Sequence, residues 1–214
     1  MNITILTDNP NSWFVPYGKV LCEKLQTAGH RVEYVFNSKD IKASDICFLL
    51  SCTKLVNESV LALSKNNIVV HASDLPKGKG FSPLQWQIIE GYDEITLTLF
   101  EVVKAVDSGP YYLKGKIALN GGELYLELRC LLARKIIELC SEYVQKRDVL
   151  VPVQQTGRET FYRRRTESDD EIDINKTIAE QFNHLRIADN ENYPAFFYIN
   201  KKKYYLKIYE DKLK

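Results

Sequence analysis

Several features that would point to particular functions are missing from this sequence. No apolar run in its 214 residues approaches the roughly 20 residues that a membrane-spanning helix needs. The 29 basic and 28 acidic residues leave a net charge of +1, so no chain-wide potential favours nucleic acid or an anionic membrane as a partner. Residues 1–7 are too short a segment, and too unlike a signal peptide, to serve as one. We therefore expect a soluble, cytoplasmic protein.

The cysteine and glycine patterns exclude two further kinds of site. The five cysteines are odd in number, are scattered without the spacing of metal ligands, and lie mostly inside apolar runs: Cys22, Cys47, Cys52, Cys130 and Cys140. We expect reduced core residues and no metal site. No Gly-x-Gly-x-x-Gly follows the first apolar run, so the fingerprint of a nicotinamide site is absent.

The first half of the chain alternates short apolar runs with amphipathic segments. The runs predict strands, and the amphipathic segments, one of them closed by Gly29, predict helices. The predicted strands are residues 3–6, 31–36, 46–50 and 68–70, and the predicted helices are residues 18–28 and 57–65. Alternating strands and helices are typical of an α/β protein with a doubly wound, mostly parallel sheet.

The second half predicts two more helices and a change of character. Ser82 as a cap and Pro83 at the first helical position predict a helix that ends near Gly91. Residues 95–100 predict a strand, and residues 121–146 predict one long helix. Beyond a boundary near Asp148 come a charge-dense loop and a hairpin across Asn200-Lys201. We expect a first domain at residues 1–147 and a small β-rich appendage at residues 148–214.

A histidine and a carboxylate follow two of the predicted strands. In a parallel sheet, ligands gather at the carboxyl ends of the strands, and three loops at such ends, residues 8–17, 51–56 and 71–80, are rich in side chains that could contact a ligand. His71 follows strand 68–70 directly, and Asp107 comes after strand 95–100. Such a pair can exchange protons with a reacting group, because the carboxylate orients the imidazole. Each residue alone has an ordinary structural use, Asp107 as a turn residue before glycine and His71 as a core residue.

The motif that surrounds these residues resembles a known family. His71-Ala72-Ser73-Asp74-Leu75-Pro76 is followed by a glycine turn, Pro83, a helix and then Asp107-Ser108-Gly109. In this order the motif resembles the folate-dependent formyltransferases, over residues 1–147. The resemblance implies the formyltransferase fold, N10-formyltetrahydrofolate as formyl donor, and His71 and Asp107 as the catalytic pair.

One position departs from the family pattern. Val69 stands where the family carries asparagine, two residues before the histidine. Residues two apart in a strand face the same side, so Val69 points toward the site without a hydrogen-bond donor. An unreplaced donor would cost about 3 kcal/mol of transition-state stabilisation. We expect His71, a backbone amide or Ser73 to stabilise the oxyanion instead; a degraded enzyme is the alternative.

The resemblance also assigns the two substrates to different loops. Main-chain groups of two loops are expected to hold the pterin: Lys54, Leu55, Val56, Lys104, Ala105 and Val106. The acceptor is expected to meet Asn11, Ser12, Trp13, Phe14, Lys77, Lys79 and Phe81, with Tyr162, Arg163 and Arg165 as further candidates. Alternatives stay open, because Trp13 and Phe14 also suit the core and lysines in a glycine turn are often solvated.

The leading hypothesis is a sugar N-formyltransferase of the methionyl-tRNA formyltransferase-like family. Three segments resemble the pseudaminic acid pathway type, which formylates a UDP-linked 4-amino-4,6-dideoxy sugar: Ser12-Trp13, residues 71–86 and residues 193–197. A methionyl-tRNA formyltransferase is the second hypothesis, disfavoured by the short chain and the balanced charge. The third is a non-catalytic protein that binds nucleotide sugar or folate, because of Val69. A homodimer is kept as an open expectation.

Overall fold

The computed structural model describes residues 1–211, which form an α/β fold around a six-stranded sheet. The strands of this sheet are β1 (Asn2–Leu6), β2 (Arg31–Val35), β3 (Ser44–Leu49), β4 (Ser64–His71), β6 (Glu94–Glu101) and β7 (Tyr111–Ala118). Their order is β2-β1-β3-β4-β6-β7, and β6 runs opposite to the other five. The predicted doubly wound, mostly parallel sheet is therefore confirmed.

Helices cover both faces of the sheet. They are α1 (Val15–Thr27), α2 (Glu58–Leu61), α3 (Pro83–Ile89), α4 (Tyr125–Lys146) and α5 (Phe182–Arg186). The larger core lies on the face where α1, α3 and α4 pack, around side chains such as Leu21, Ile88 and Leu139. On the opposite face a smaller cluster contains Leu49 and, with Val69, reaches the single turn of α2. The long helix α4 packs its apolar side against this face of the sheet, as its periodicity predicts.

Two elements, helix α2 and strand β7, differ from the sequence-based prediction. The helix predicted at residues 57–65 is only the one turn of α2, because Ser64 already belongs to β4 and its hydroxyl bonds that of Ser44 on β3 at 2.8 Å. No strand was predicted for the segment that forms β7. That strand has Lys114, Gly115 and Lys116 at its centre, a composition that suits a sheet edge and lowers strand propensity.

The helix starts also differ in detail. α3 begins at Pro83 as predicted, but Ser82 has a left-handed backbone (φ 52°) and its side chain makes no cap hydrogen bond. α4 begins at Tyr125 instead of residue 121, because the carboxylate of Glu123 accepts the main-chain N–H groups of Asn120 and Gly121 and holds those residues in a turn.

The C-terminal part contributes two small sheets. β9 (Ala195–Ile199) and β10 (Lys202–Leu206) form the predicted hairpin, and both turn residues, Asn200 and Lys201, have positive φ as a tight hairpin requires. Earlier in the chain β8 (Phe161–Tyr162) pairs in parallel with β5 (Lys79–Gly80). Among the described residues no helix is long and apolar enough to cross a membrane.

Candidate active site

His71 and Asp107 lie together at the carboxyl end of β4. His71 is the last residue of β4, and its Nδ1 lies 3.9 Å from Oδ2 of Asp107. The two side chains are 10% and 13% exposed, so both reach the surface without being solvated freely. Asp107 approaches from the loop that follows the reversed strand β6 and folds back toward this edge. The structure thus brings the predicted acid/base pair together.

The other imidazole nitrogen is already occupied. Nε2 of His71 lies 2.8 Å from the carbonyl oxygen of Gly78, which can only accept a hydrogen bond. Nε2 therefore carries a proton, and in the neutral ring Nδ1 is the free acceptor. We expected Asp107 to orient the ring and leave the opposite nitrogen for the substrate. The observed arrangement differs, because the carbonyl of Gly78 orients the ring instead. Nδ1 of His71 and Oδ2 of Asp107 are then two neighbouring hydrogen-bond acceptors, which form an acceptor pair.

Buried polar side chains hold the backbone of the loop after His71. Gln87 on α3 donates to the carbonyl of Ala72 at 2.7 Å, and Thr98 on β6 donates to the carbonyl of Ser73 at 2.7 Å. On the outer side Lys114 binds Asp74 at 2.6 Å and the carbonyl of Leu75 at 3.0 Å. Buried main-chain groups need such partners, so these bonds fix the path of the loop.

The Asp107-Ser108-Gly109 turn is bound to the same loop. Asp107 has a left-handed backbone (φ 50°), a conformation that aspartate tolerates better than most residues, and its Oδ2 accepts the N–H of Gly80 at 2.9 Å. Lys79 donates from Nζ to Ser108 Oγ at 2.8 Å. Neighbouring residues of β5 therefore hold neighbouring residues of the turn.

Two glycines are required by the close approach of these chains. A Cβ at Gly109 would overlap the carbonyl oxygen of Glu101, and one at Gly80 would overlap the carbonyl oxygen of Tyr162. Gly80 also has φ +98°, which favours glycine. The Asp-x-Gly spacing thus has a physical basis, because only glycine lets the turn pack against β6.

A segment beyond residue 148 completes the site, and sequence reasoning missed it. Gln155 donates to the carbonyls of Asp107 and Gly109 at 3.0 and 2.8 Å. Thr160 Oγ1 accepts the N–H of Gly78, the residue whose carbonyl holds His71. Glu159 binds Lys79 Nζ at 2.5 Å. These are polar residues in a loop, with partners up to 82 positions away, and no local pattern indicates such contacts.

The predicted acceptor residues of the glycine turn have different surroundings. Lys79 is 1% exposed and its ammonium donates to Ser108 and Glu159, so its position argues against contact with a substrate. Lys77 is exposed and has no ion-pair partner within residues 1–211. Phe81 is 46% exposed, with the guanidinium of Arg164 at 4.4 Å over its ring. Lys77 and Phe81 are thus accessible.

Substituting each lysine in turn separates the role of Lys79 from that of Lys77. Lys79→Met is expected to lower the turnover number about 10-fold without raising the Michaelis constant of the acceptor, because the Asp107 turn loses a support and small displacements of catalytic groups are costly. Lys77→Met removes the same charge from the exposed neighbour and should leave turnover unchanged. Steady-state kinetics of both variants provide the measurement. A rise in the acceptor's Michaelis constant for Lys79→Met alone would contradict a positioning role.

The two loops predicted to hold the pterin lie side by side. Val56 and Val102 pack in the same small cluster as Val69, and Lys104 lies 3.8 Å from Glu58. Leu55 and Val106 are 86% and 56% exposed, leaving apolar surface on both loops. Within residues 1–211, no hydrogen bond engages the main-chain N–H groups of Leu55, Val56, Lys104, Ala105 or Val106. This combination of apolar surface and free main-chain donors fits a pterin.

The loop after β1 contains three accessible acceptor candidates and one buried residue. Asn11 is exposed, while Ser12 and Trp13 are half-buried, and Ser12 Oγ lies 3.1 Å from Ser51 Oγ in the loop after β3. Phe14 is wholly buried and belongs to the main core. Its predicted role in acceptor contact is therefore corrected to packing, which was one of the two alternatives for this residue.

Ser73 is buried, and Val69 is partly buried. Ser73 is 1% exposed, and its hydroxyl has no hydrogen-bond partner within residues 1–211, so it cannot meet a ligand oxygen in this conformation. This burial argues against Ser73 as the oxyanion donor. Val69 packs in the small apolar cluster between the two pterin loops. Asn67, two residues further back, donates to the carbonyl of Leu61 and does not reach the pair.

Other reactive groups near the site are engaged or inert. Burial, with Asp8 nearby, raises the pKa of the Cys52 thiol to about 12, so the thiol is protonated at neutral pH and is a poor nucleophile. Tyr162 donates to Glu90 at 2.6 Å. Arg163 and Arg165 pair with Asp169 and Asp170. Across residues 1–211 no group of three or more His, Cys, Asp or Glu side chains could hold a metal ion.

Comparisons with known proteins agree with this geometry. The formyl transferase family matches residues 15–124, slightly more than half of the chain and including both His71 and Asp107. The chain belongs to the formyl transferase family, as its motif predicts.

Solved structures share the fold at low sequence identity. Methionyl-tRNA formyltransferase from Clostridium thermocellum is 22% identical with a TM-score of 0.84, over 99% of this chain and 94% of that one. A 4-N formyltransferase from Francisella tularensis is 16% identical with a TM-score of 0.76, over 99% and 98%. HypX from Aquifex aeolicus in complex with tetrahydrofolic acid is 14% identical with a TM-score of 0.80, over 96% of this chain and 37% of HypX. At these identities the likeness concerns the fold.

Proposed function

We propose that this formyltransferase moves a formyl group from N10-formyltetrahydrofolate to the amine of a nucleotide-linked amino sugar. The observation that carries the proposal is the acceptor pair formed by Nδ1 of His71 and Oδ2 of Asp107, 3.9 Å apart. Two acceptors at this separation, with Nε2 bound to Gly78, leave room for one amine nitrogen to donate a hydrogen bond to each. An amine held in this way is oriented for attack.

The chemical step assigns one proton path to this pair. The amine nitrogen forms a bond to the formyl carbon, and the bond between that carbon and the folate nitrogen breaks. Nδ1 of His71 accepts the proton that the amine loses and returns it to the departing nitrogen. The carboxylate of Asp107 stabilises the positive charge of the imidazole between these transfers. Protons and charge balance without a further reactant.

The donor half of the proposal rests on the two loops next to Val69. The apolar side chains of Leu55 and Val106 and the free main-chain N–H groups beside them fit a flat heterocycle that carries hydrogen-bonding edges. Val69 offers the oxyanion no donor and Ser73 is buried, so protonated His71 and a backbone amide remain as the groups that could stabilise it. HypX, which has the same fold, was solved with tetrahydrofolic acid, and this supports folate as the donor.

The acceptor half rests on the loop after β1 and on the chain's charge. Trp13, Ser12 and Asn11 present an aromatic face beside polar groups, which suits a sugar nucleotide. A tRNA acceptor would require many phosphate contacts, yet the net charge is +1 and Arg163 and Arg165 are engaged by aspartates. We propose a UDP-linked 4-amino-4,6-dideoxy-N-acetyl-altrosamine type sugar, as in pseudaminic acid biosynthesis, as the first acceptor to examine.

An acceptor comparison tests the proposal. Release of tetrahydrofolate from N10-formyltetrahydrofolate is followed with UDP-4-amino sugars, the same sugars without nucleotide, and charged initiator tRNA at physiological salt. We expect release with the nucleotide sugar and a product heavier by one formyl group. Efficient transfer to tRNA alone would overturn the acceptor. Absence of release with every amine would favour a binding protein that lacks turnover.

Replacement of Trp13 tests the assignment of the two half-sites. Trp13→Ala is expected to raise the Michaelis constant of the sugar nucleotide about 10-fold, since loss of a stacking aromatic costs on the order of 1–3 kcal/mol. The Michaelis constant of the folate should change less. Trp86→Ala is a matched control, because Trp86 stacks on Tyr162 and bonds the carbonyl of Arg163. Loss of folate affinity with unchanged sugar affinity would show that the half-sites are reversed.

A further inference from the structure

Arg129 on α4 has a position that the proposed reaction does not explain. Its guanidinium lies between two aromatic rings, 4.0 Å from the ring centre of Tyr125 and 5.1 Å from that of Trp13. Tyr125 lies one turn earlier on the same helix, and Trp13 comes from the loop after β1. The two rings, which belong to different elements, therefore hold the plane of the guanidinium. This lowers the conformational entropy that the Arg129 side chain would lose on binding a ligand.

The hydrogen-bond donors of this guanidinium are free. Arg129 makes no hydrogen bond and no ion pair within residues 1–211, whereas a guanidinium carries five N–H donors. The nearby carboxylate of Asp189 is engaged instead by the N–H groups of Glu191 and Asn192 and by the side chain of Asn192. Burial lowers the pKa of Arg129, so the cation is partly desolvated and would gain from an anion.

Arg129 also lines a small cleft next to α3. Gln85 on α3, Tyr125 and Arg129 line a cavity of about 10 Å³, which is the size of one water molecule. An anion larger than water cannot enter this cavity and must meet the guanidinium from outside it. α3 also carries Gln87, which holds the loop after His71, so the same helix borders this cleft and supports the catalytic loop.

We propose that Arg129, held between Trp13 and Tyr125, binds the phosphate groups of the nucleoside diphosphate that carries the acceptor sugar. A planar guanidinium pairs with two phosphate oxygens at once, which a lysine cannot do. This role replaces the one predicted for Lys79, whose ammonium is engaged inside the protein. The inference rests on the proposed function for the identity of the ligand.

Nucleotide binding without a formyl donor provides the test. Titration calorimetry with UDP, dTDP and uridine compares the native chain with Arg129→Met, Arg129→Lys and the control Arg31→Met. Arg31 is an exposed arginine at the start of β2, where it pairs with Asn2, and so lies at the end of β1 away from the loop that carries Trp13. We expect Arg129→Met to weaken UDP or dTDP binding about 10-fold or more, the usual scale for a charge-assisted pair. Arg129→Lys should lose several-fold, while Arg31→Met and uridine binding remain unchanged.

The results separate this inference from the reaction itself. Equal nucleoside diphosphate affinity in Arg129→Met, an equal loss of uridine binding, or no measurable binding of either diphosphate to the native chain would overturn it. If Arg129→Met melts well below the native chain, Arg129→Lys decides alone, and unchanged affinity in that variant also overturns the role. The acceptor comparison is made with the native chain, so transfer to a nucleotide sugar there would uphold the proposed function even if Arg129 contributes nothing to binding.

Discussion

Replacing His71 with alanine is expected to lower the turnover number about 10²-fold or more, the scale for losing an acid/base group. The imidazole can accept the amine's proton at Nδ1 while its other nitrogen, Nε2, remains bound to Gly78. Steady-state formyl transfer, followed by folate release, gives the turnover number. The fold should survive, since the cost is one unsatisfied carbonyl, on the order of 1–3 kcal/mol.

Asp107→Asn complements this variant by removing charge while keeping the shape of the turn. The amide oxygen of asparagine still accepts the N–H of Gly80, so the backbone should stay in place. Turnover should nevertheless fall about 10²-fold, because the imidazolium loses its carboxylate. His30→Ala, between α1 and β2, and Asp148→Asn, on the exposed surface after α4, are matched controls. A turnover near that of the native chain in either active-site variant would remove the proposed proton path.

Much of the fold could be predicted because its signals are local. Most residues of β1 and β3 are apolar and nearly all are buried, as expected for strands covered on both faces. The hairpin of β9 and β10 turns at Asn200-Lys201, where asparagine tolerates positive φ. The closeness of His71 and Asp107 was also expected, but from the resemblance, since the residues lie 36 positions apart without a local pattern that joins them.

The remaining features depend on contacts that no local pattern records. The reversal of β6 is set by its pairing with β4 and β7, and the composition of residues 95–100 is the same for either direction. β7 is an edge strand whose lysines hide its periodicity. Gln155, Glu159 and Thr160 meet the site through single polar contacts, so they resemble an ordinary loop in the sequence.

These long-range contacts make one connected assembly of the catalytic loops. Thr160 binds Gly78, whose carbonyl fixes the proton on His71, and Gln155 binds the carbonyls on either side of Ser108. Residues 155–160 thus hold the backbone that orients both side chains of the proposed pair, His71 and Asp107. Displacement of any part is therefore expected to act on turnover more than on substrate affinity, because it changes the geometry of the reacting groups.

Gly109→Ala is the substitution that should displace this assembly most. The new Cβ would overlap the carbonyl oxygen of Glu101, and a backbone oxygen at the end of β6, where Glu101 pairs with Ile68 of β4, cannot move aside as a side chain could. We expect the free energy of unfolding to fall by more than about 2 kcal/mol, as for other changes that force backbone movement. Turnover should fall about 10²-fold, since the turn that carries Asp107 must shift.

Gly122→Ala supplies the matched control for this change. There the nearest atom to an added Cβ is the side-chain oxygen of Asn120 at 3.3 Å, a contact that a small shift of this side chain relieves, so the free energy of unfolding should change by no more than about 0.5 kcal/mol. Denaturant unfolding and formyl transfer are measured on both variants. If Gly109→Ala unfolds at the native denaturant midpoint and keeps native turnover, the packing of the turn against Glu101 does not hold Asp107 in place. A loss confined to Gly109→Ala means that Asp107 is positioned by this contact between backbones.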